Sequence, residues 1–307
     1  MAVEQDRAVL SAAARTDTAD RKASSEVRGR LTGIADVAVH LDGSPRDEVK
    51  LEYAEMISCR SGAHLTVFVS NHVPVVPLPP GPGSAWLQSE LRRNADEAGA
   101  LLEDRIEARM SRTEVPWTIC RFDDSVAGLT AASAALSRSS DFFLFGRPYG
   151  EDRHWPELLE AVLFSAEGAA IVVPPGDVKA EIPRRVVVGW RDTNECAHAI
   201  SASLPFLKAA DEVFLVSVSG TRSDDEMRQE PAAAMARHLA RHGVDVEIRH
   251  LPHWEDPASG IVNEAQLLGA DLIVIGAYGH SRTREWIWGG VTRDLLTRSP
   301  VPLLLCR

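Results

Sequence analysis

The feature that most constrains the fold is a set of ten short apolar runs, arranged as two groups of five along the chain. Several runs are almost continuously apolar and β-branched, which is typical of parallel strands that are covered on both faces. The predicted strands are Ile34–Leu41, Ala63–Ser70, Val115–Phe122, Asp141–Phe145, Ala169–Val173, Arg185–Trp190, Glu212–Ser219, Val244–Leu251, Asp271–Ile275 and Val301–Cys306.

Helical patterns separate the strands within each group, so each half of the chain is a repeated strand–helix alternation. This alternation predicts an α/β fold with two tandem open parallel five-stranded sheets and helices on both faces of each sheet. The predicted helices are Asp47–Ser61, Trp86–Arg112, Val126–Ser137, His154–Ala166, Glu195–Ala209, Asp224–His242, Pro257–Leu268 and Gly290–Ser299.

The two halves can be placed in register, which indicates an internal repeat. Asp42-Gly43-Ser44 follows the first strand as Arg191-Asp192-Thr193 follows the sixth, and Gly146 corresponds to Gly276. The first half is longer, and we place its insertion in the proline-rich loop 72–84, because prolines and glycines interrupt helices and strands. We predict a disordered tail over 1–30, a first domain over 31–176 and a second over 184–307.

Composition excludes some classes of partner. The 44 acidic residues outnumber the 33 basic ones, giving a formal net charge of −11, whereas nucleic acids and anionic membranes attract basic surfaces. No apolar run approaches the length of about 18 residues that a membrane-spanning helix needs, and the start of the chain has no signal-peptide core. We therefore expect a cytoplasmic protein. Its four cysteines fall within predicted helices or strands and are expected to be buried and inert.

Glycines mark a candidate phosphate site near the end of the chain. The strand Asp271–Ile275 runs into Gly276, followed by two residues, Gly279, nine residues, and then Gly289-Gly290 at the start of a predicted helix. Glycine lets the backbone approach a ligand closely, and a helix N-terminus offers unpaired N–H groups and a positive dipole end. Turns alone also favour such glycines, but the strand–loop–helix arrangement as a whole favours a nucleotide-phosphate cradle.

In this glycine spacing the chain resembles the universal stress protein family in its tandem two-domain form. Val186-Val-Val-Gly-Trp190 and Leu204-Pro205 are also similar to the family. The resemblance implies a Rossmann-like fold of the adenine-nucleotide alpha-hydrolase type, with the last strands of the two halves paired antiparallel. It also implies an ATP site: the adenine would lie near Trp190, Asp192 and Val218, and the phosphates near Gly276, Gly279, His280, Gly289, Gly290, Val291 and Thr292.

Two residues depart from the family pattern in the second half. Gly290 stands where the family has serine or threonine, so one hydroxyl donor is missing, and Arg191 replaces an acidic residue, with Asp192 one position later. In the first half the loop has lost its motif, because Tyr149, Leu159 and Glu160 occupy the positions of the two glycines and the hydroxyl residue. We therefore interpret the first half as a structural or regulatory partner of the second.

The sequence gives little indication of catalysis or of a metal site. His238 and His242 have helical metal-ligand spacing, but the predicted topology places His250 and His253 too far away to share an ion with them. The chain contains no Gly-x-Ser-x-Gly elbow and no P-loop lysine motif. Asp192 is the one carboxylate that we can name as a magnesium ligand beside ATP.

These patterns support a stress-response or regulatory protein that binds an adenine nucleotide, ATP, through its second half and is not an enzyme. The alternative is a nucleotide-independent interaction protein of the same fold, and a slow ATPase is the weaker third hypothesis. The expected partners are the nucleotide and an unknown protein, with no nucleic acid and no membrane. The chain is expected to be a monomeric tandem or a homodimer of tandems.

Overall fold

The computed structural model describes residues 29–77, 79, 81–149, 155–219, 222–252, 254–277 and 290–307. Nearly all of the predicted tail therefore lies outside the described residues, and the domain boundaries stay predictions. Within the described part the strands are β1 Asp36–Leu41, β2 His64–His72, β3 Trp117–Asp124, β4 Phe142–Gly146, β5 Ala170–Val173, β6 Arg185–Gly189, β7 Glu212–Val218, β8 Val246–Leu251, β9 Leu272–Gly276 and β10 Leu303–Cys306.

The helices agree with the sequence pattern except at two places. The helix predicted from Trp86 begins four residues earlier, at Pro82 within the predicted loop 72–84, because proline is tolerated in the first turn of a helix. The described helices are α1 Asp47–Ser61, α2 Pro82–Met110, α3 Val126–Ser137, α4 Pro156–Glu160, α5 Asn194–Ala209, α6 Arg222–Arg241, α7 Pro257–Leu268 and α8 Gly290–Arg298. The regular helix predicted over His154–Ala166 is wrong in form: α4 lasts five residues and continues as a π-helical turn over Ala161–Ser165. The described helix begins at Pro156, directly after Trp155, whose φ of 48° lies outside the right-handed helical region.

All ten described strands form one sheet in the order β3-β2-β1-β4-β5-β10-β9-β6-β7-β8. Pairing is parallel within each half, and β10 pairs antiparallel with β5, with Leu304 opposite Ile171. The predicted α/β class and the pairing of the edge strands are confirmed. The two five-stranded sheets are therefore continuous, because each last strand satisfies the backbone groups that the other would expose.

The internal repeat is visible in how each half begins. The Asp141 carboxylate accepts hydrogen bonds from the backbone N–H groups of Ala35 and Asp36, at 2.7 and 3.0 Å. In the second half Asp271 does the same for Arg184 and Arg185, at 3.0 and 2.9 Å. The aspartate before the fourth strand of each half thus fixes the start of its first strand. This shared device supports the register deduced from the sequence.

The apolar core extends across both halves on each face of the sheet. On one face α1, α2, α5 and α6 cover strands from both halves in one continuous cluster, and on the other face α3, α4, α7 and α8 do so. Phe142 of β4 meets Phe206 of α5 with ring centroids 5.4 Å apart, which joins the halves directly. Because both cores cross the seam between β5 and β10, we expect the halves to unfold together.

Replacing Tyr53 by phenylalanine is expected to leave stability unchanged or to raise it by about 1 kcal/mol. The Tyr53 side chain is buried in α1, and no described group lies within hydrogen-bonding distance of its hydroxyl. Burial, and then the nearby charge of Asp271, raise the pKa of Tyr53, so the hydroxyl stays neutral. Urea unfolding of Tyr53→Phe beside the wild type measures the change. A loss of more than about 1 kcal/mol would show that the hydroxyl has a partner.

The exposure of the cysteines differs from the prediction at one position, Cys59. Cys306 is buried and burial raises the pKa of its thiol, Cys120 and Cys196 are partly buried, and Cys59 is exposed on α1. The prediction that all four are buried is therefore wrong for Cys59, which faces away from the core. Among the described residues, no helix is long and apolar enough to cross a membrane.

Candidate functional site

The second half has a cavity of about 470 Å³ at the carboxyl ends of its strands. The chain runs from β6 outward through β7 to β8 and then crosses back to β9 on the other side of β6. Gly189, at the end of β6, and Gly276, at the end of β9, both line the cavity. Ligands of open α/β sheets bind at such a switch point, and the volume suits a small organic molecule.

Three helices begin at this cavity. Glu195 and Cys196 contribute the start of α5, Pro257 the start of α7, and Gly290 the start of α8. The first turn of a helix has N–H groups that lack intrahelical partners, and its dipole places partial positive charge there. Three such ends around one cavity create a region that favours phosphate or another anion.

Apolar side chains form another part of the cavity wall. Val216 and Val218 of β7, Ile261 of α7 and Ile275 of β9 line it together with the Trp254 indole. A Cβ atom added to Gly260 would lie 3.2 Å from Cγ and Cδ2 of Trp254, so this glycine leaves the space in which the indole rests on α7. The backbone N–H of Trp254 also donates to the Ser219 carbonyl at 3.2 Å. The cavity therefore combines a fixed aromatic wall with helix N-termini.

Gly276 is required by close packing as well as by its position in the site. A Cβ atom there would lie 2.7 Å from the backbone nitrogen of Cys196 and 2.7 Å from the carbonyl carbon of Glu195. The start of α5 thus rests directly on the end of β9. This contact brings the α5 N-terminus to the cavity, so the glycine positions a helix end beside the ligand space.

The structure brings together most of the predicted site residues that it describes. Asp192 is exposed and does not line the cavity, whereas its neighbours Arg191 and Thr193 do. Gly279, His280 and Gly289 lie outside the described residues. The predicted residues that line the cavity are Trp190, Val218, Gly276, Gly290, Val291 and Thr292.

Sequence reasoning missed the contribution of the segment between β8 and α7. Trp254, Glu255 and Pro257 of this segment line the cavity, and Trp254 supplies its aromatic wall. The signal was present, because the carboxyl ends of parallel strands meet at one edge of a sheet and β8 ends at Leu251. Glu195 was also missed. It lies in the first turn of α5, which follows the end of β6 and so begins at the same edge of the sheet.

An ion pair fixes α8 against α7. Arg298 Nη2, in the last turn of α8, lies 2.9 Å from an Asp256 carboxylate oxygen. Asp256 is also the N-cap of α7: its carboxylate accepts from the Ala258 N–H at 3.0 Å and from the Ser259 hydroxyl. Hydrogen bonds from Ser259 and Arg298 lower the pKa of Asp256 to about 2. The pair thus joins two of the three helices whose first turns line the cavity.

We expect this pair to make stability depend on acid pH. Because the folded-state pKa of Asp256 is below its ordinary value of 3.8, its stabilisation is complete above pH 4–5 and is lost as pH falls toward 2. Asp256→Asn keeps a good N-cap but removes the charge. Since the pair is solvent-exposed, the wild-type advantage should be below about 1 kcal/mol at pH 7.

Urea unfolding of both proteins between pH 7 and pH 2.5 measures this difference. The gap between wild type and Asp256→Asn should narrow as the pH falls. A gap that stays constant with pH would mean that the carboxylate charge contributes nothing. Arg298→Met is the matched control, because it removes the cation and leaves the Ser259 hydrogen bond in place.

The corresponding region of the first half is occupied by its own side chains. The Trp155 indole N–H donates to the Asp42 carboxylate at 3.0 Å, and the buried Lys50 Nζ lies 2.8 Å from Asp47 and 3.9 Å from Asp42. Burial opposes the charge of Asp42, but Lys50, His40 and hydrogen bonds from Ser44 outweigh it, so the pKa of Asp42 lies well below its usual range. A hollow of about 530 Å³ beside it is bordered by Asp42 and Glu157.

The sequence model of the universal stress protein family matches residues 183–307. The second half therefore resembles a universal stress protein domain over its whole length. This match confirms the resemblance that the glycine spacing indicated. Over 52 residues the chain is also 35% identical to the stress response protein NhaX of Bacillus subtilis (strain 168). That match spans 31% of the length of NhaX, or about a third of the relative.

Solved universal stress protein structures extend the likeness of fold to both halves. A universal stress protein from Archaeoglobus fulgidus superposes with a TM-score of 0.69 at 15% identity, covering 88% of this chain and 98% of that one. A putative universal stress protein from Pseudomonas aeruginosa gives a TM-score of 0.54 at 15% identity, covering 89% and 93%. At this identity the superpositions show the shared α/β fold.

Proposed function

We propose that this protein binds an adenine nucleotide, ATP, in the cavity of its second half and acts in a stress response by binding. The observation that carries the proposal is the convergence of the helix starts at Cys196, Pro257 and Gly290 on one cavity with an aromatic wall. Helix N-termini suit the phosphates, and the apolar wall suits the base. These two chemistries are the ones that a nucleotide requires.

The residues that line the cavity fit the two ends of ATP. Gly290, Val291 and Thr292 would receive the phosphates on the first turn of α8, where Thr292 also supplies a hydroxyl. Trp254, Val218 and Ile261 would contact the base. Asp192 does not line the cavity, whereas Glu195 and Glu255 do, so these two carboxylates would be the candidate ligands for a magnesium ion carried by the phosphates.

Calorimetric titration of ATP into Val291→Glu, beside Val291→Gln, tests the phosphate end. Val291 is 36% exposed in the first turn of α8, where a glutamate is favourable for the helix itself. Its charge would repel phosphate, so we expect ATP affinity to fall about tenfold or more, or roughly 1.4 kcal/mol. The glutamine variant has the same size without the charge and should bind within about threefold of the wild type.

A second comparison tests the orientation of the nucleotide. Trp254→Ala should weaken binding of both ATP and adenosine, because it removes the aromatic wall, and should leave binding of inorganic tripolyphosphate unchanged. Val291→Glu should do the reverse, weakening tripolyphosphate and sparing adenosine. Equal effects of both variants on all three ligands would contradict this orientation.

One observation favours the alternative of a nucleotide-independent interaction protein. Gly290 stands where the family pattern has a serine or threonine, so the start of α8 has one hydroxyl donor fewer. No described neighbour lies within 4 Å of a Cβ atom added to Gly290. The titration separates the two functions. Absence of ATP binding by folded, nucleotide-free wild-type protein would reject the nucleotide proposal and support the interaction protein.

A further inference from the structure

The position of the short helix α8 sets the direction in which its first N–H groups point. Two parts of the chain hold this helix in place. Its first turn lines the cavity at Gly290, Val291 and Thr292, while Leu295 and Leu296 are buried beneath it. From its own half, Asp256 holds Arg298 near the C-terminal end. The remaining contacts described below come from the first half of the chain, more than 140 residues earlier.

The segment after β4 touches α8 near both of its ends. The Arg147 guanidinium donates to the Ser299 carbonyl at 2.5 Å, immediately after the last residue of α8. Helix C-terminal carbonyls lack intrahelical partners and carry partial negative charge, so a cation is favourable there. The Arg293 guanidinium, in the first half of α8, lies over the Tyr149 ring, 5.7 Å from its centroid. This distance is within the range of a cation–π interaction.

Tyr149 is itself held by the first half, and Arg147 next to it in the chain segment is partly buried. The Tyr149 hydroxyl donates to the Glu160 carboxylate at the end of α4, at 3.1 Å. Burial, followed by the charge of Arg46, lowers the pKa of Arg147, and the bond to Ser299 offsets part of that cost. Pro148 between them is buried. The segment 147–149 is therefore anchored in the first half through Tyr149 and the buried Pro148, and it contacts α8 of the second half.

We propose that Arg147 and Tyr149 are positioning residues for the nucleotide cavity of the other half, because they hold α8 in its place over that cavity. The part of this inference that concerns ATP affinity rests on the proposed function, whereas the part that concerns the position of α8 does not. Tyr149 stands at the position of the first half where the family pattern has a phosphate-loop glycine. The degenerate loop of the first half thus contributes to the second site by supporting its helix.

Amide hydrogen exchange followed by mass spectrometry tests the support without any ligand. In an Arg147→Met, Tyr149→Leu double variant, we expect the amides of residues 291–299 to exchange about tenfold faster or more, since a charged hydrogen bond and a cation–π contact are lost. Amides of β10 should stay within about threefold of the wild type, because the seam is unchanged. Unchanged exchange over 291–299 would overturn the proposal.

Two further variants separate positioning from general loss of structure. Arg147→Lys keeps a donor for the Ser299 carbonyl and should restore exchange to within about threefold of the wild type. Arg307→Met removes a different contact between the halves, in which Arg307 lies over the Phe164 ring and donates to the Phe164 carbonyl at 3.3 Å. If Arg307→Met accelerates exchange over 291–299 as much as the double variant does, the effect is not specific to the support and the proposal fails.

ATP titration gives the second readout. The double variant should bind ATP about tenfold more weakly than the wild type, and Arg147→Lys should bind within about threefold. An unchanged ATP affinity in the double variant, with faster exchange over 291–299, would overturn the link to the cavity. If the wild type binds no ATP, the proposed function fails, while the exchange experiment still decides whether Arg147 and Tyr149 hold α8.

Discussion

Replacing Gly276 by alanine is expected to lower the free energy of unfolding by about 1–3 kcal/mol, the usual cost of forcing an extra methyl group into a closely packed position. The added methyl group would lie 2.7 Å from backbone atoms of Glu195 and Cys196, a distance that real Cβ atoms essentially never show. Backbone atoms at the start of α5 cannot turn aside as a flexible side chain can. The helix or the strand end must therefore move.

Gly290→Ala is the matched control for this prediction. Gly290 also lines the cavity, but no described atom lies within 4 Å of its added Cβ position. Alanine is the better helix former, so this variant should be neutral or more stable by up to about 1 kcal/mol. Urea unfolding followed by circular dichroism compares the two. Equal effects would mean that the α5–β9 contact is not the reason for glycine at position 276.

The displacement of α5 should also affect the ligand. Because Glu195 and Cys196 line the cavity, Gly276→Ala should bind ATP more weakly than Gly290→Ala does. Titration of both variants at a temperature where both are fully folded checks this. Weaker binding by Gly290→Ala alone would place the phosphates closer to α8 than to α5.

Truncating the seam between the halves should have a still larger effect. Leu304 and Ile171 face each other across the antiparallel pair of β10 and β5, and both are fully buried. Leu304→Ala and Ile171→Ala should each lower the free energy of unfolding by about 2–4 kcal/mol, the usual cost of removing a large buried aliphatic group. Urea unfolding of the two single variants measures these losses.

A double-mutant cycle shows whether the loss comes from the seam. The double variant should depart from additivity by about 0.5–2 kcal/mol, because the two side chains are direct cross-strand neighbours. Val67 is the matched control: it is fully buried in β2, three strands away from β5. Leu304→Ala combined with Val67→Ala should be additive within about 0.5 kcal/mol. A coupling of zero between Leu304 and Ile171 would contradict a packed seam.

Local capping signals account for some of the element boundaries that the sequence predicted correctly. The helices Val126–Ser137 and Pro257–Leu268 begin and end as predicted, because Ser125 and Asp256 cap their first turns and Gly269 ends the second in a left-handed conformation. The pattern failed at His154–Ala166, where the apolar spacing alone indicated one helix. There Trp155 adopts a positive φ and bonds to Asp42, a contact between residues 113 positions apart.

The candidate site shows the same division. The glycines and the strand end at Gly276 could be recognised in the sequence, because close backbone approach requires glycine whatever the ligand. The end of β8 could place the following segment at the same sheet edge, but the exposure of Asp192 and the packing of the Trp254 indole on α7 could not be recognised. Both depend on how loops from separate strands are arranged at one edge of the sheet.

By itself, then, the sequence determined the strand–helix alternation, the internal repeat and the position of the glycine loop, since periodicity, capping and turn chemistry act over a few residues. Only the tertiary structure decided that three helix starts meet at one cavity and that Arg147 reaches Ser299. The last two residues are 152 positions apart. Contacts of this kind depend on the packing of whole layers, because side-chain volume and shape select which distant surfaces fit together.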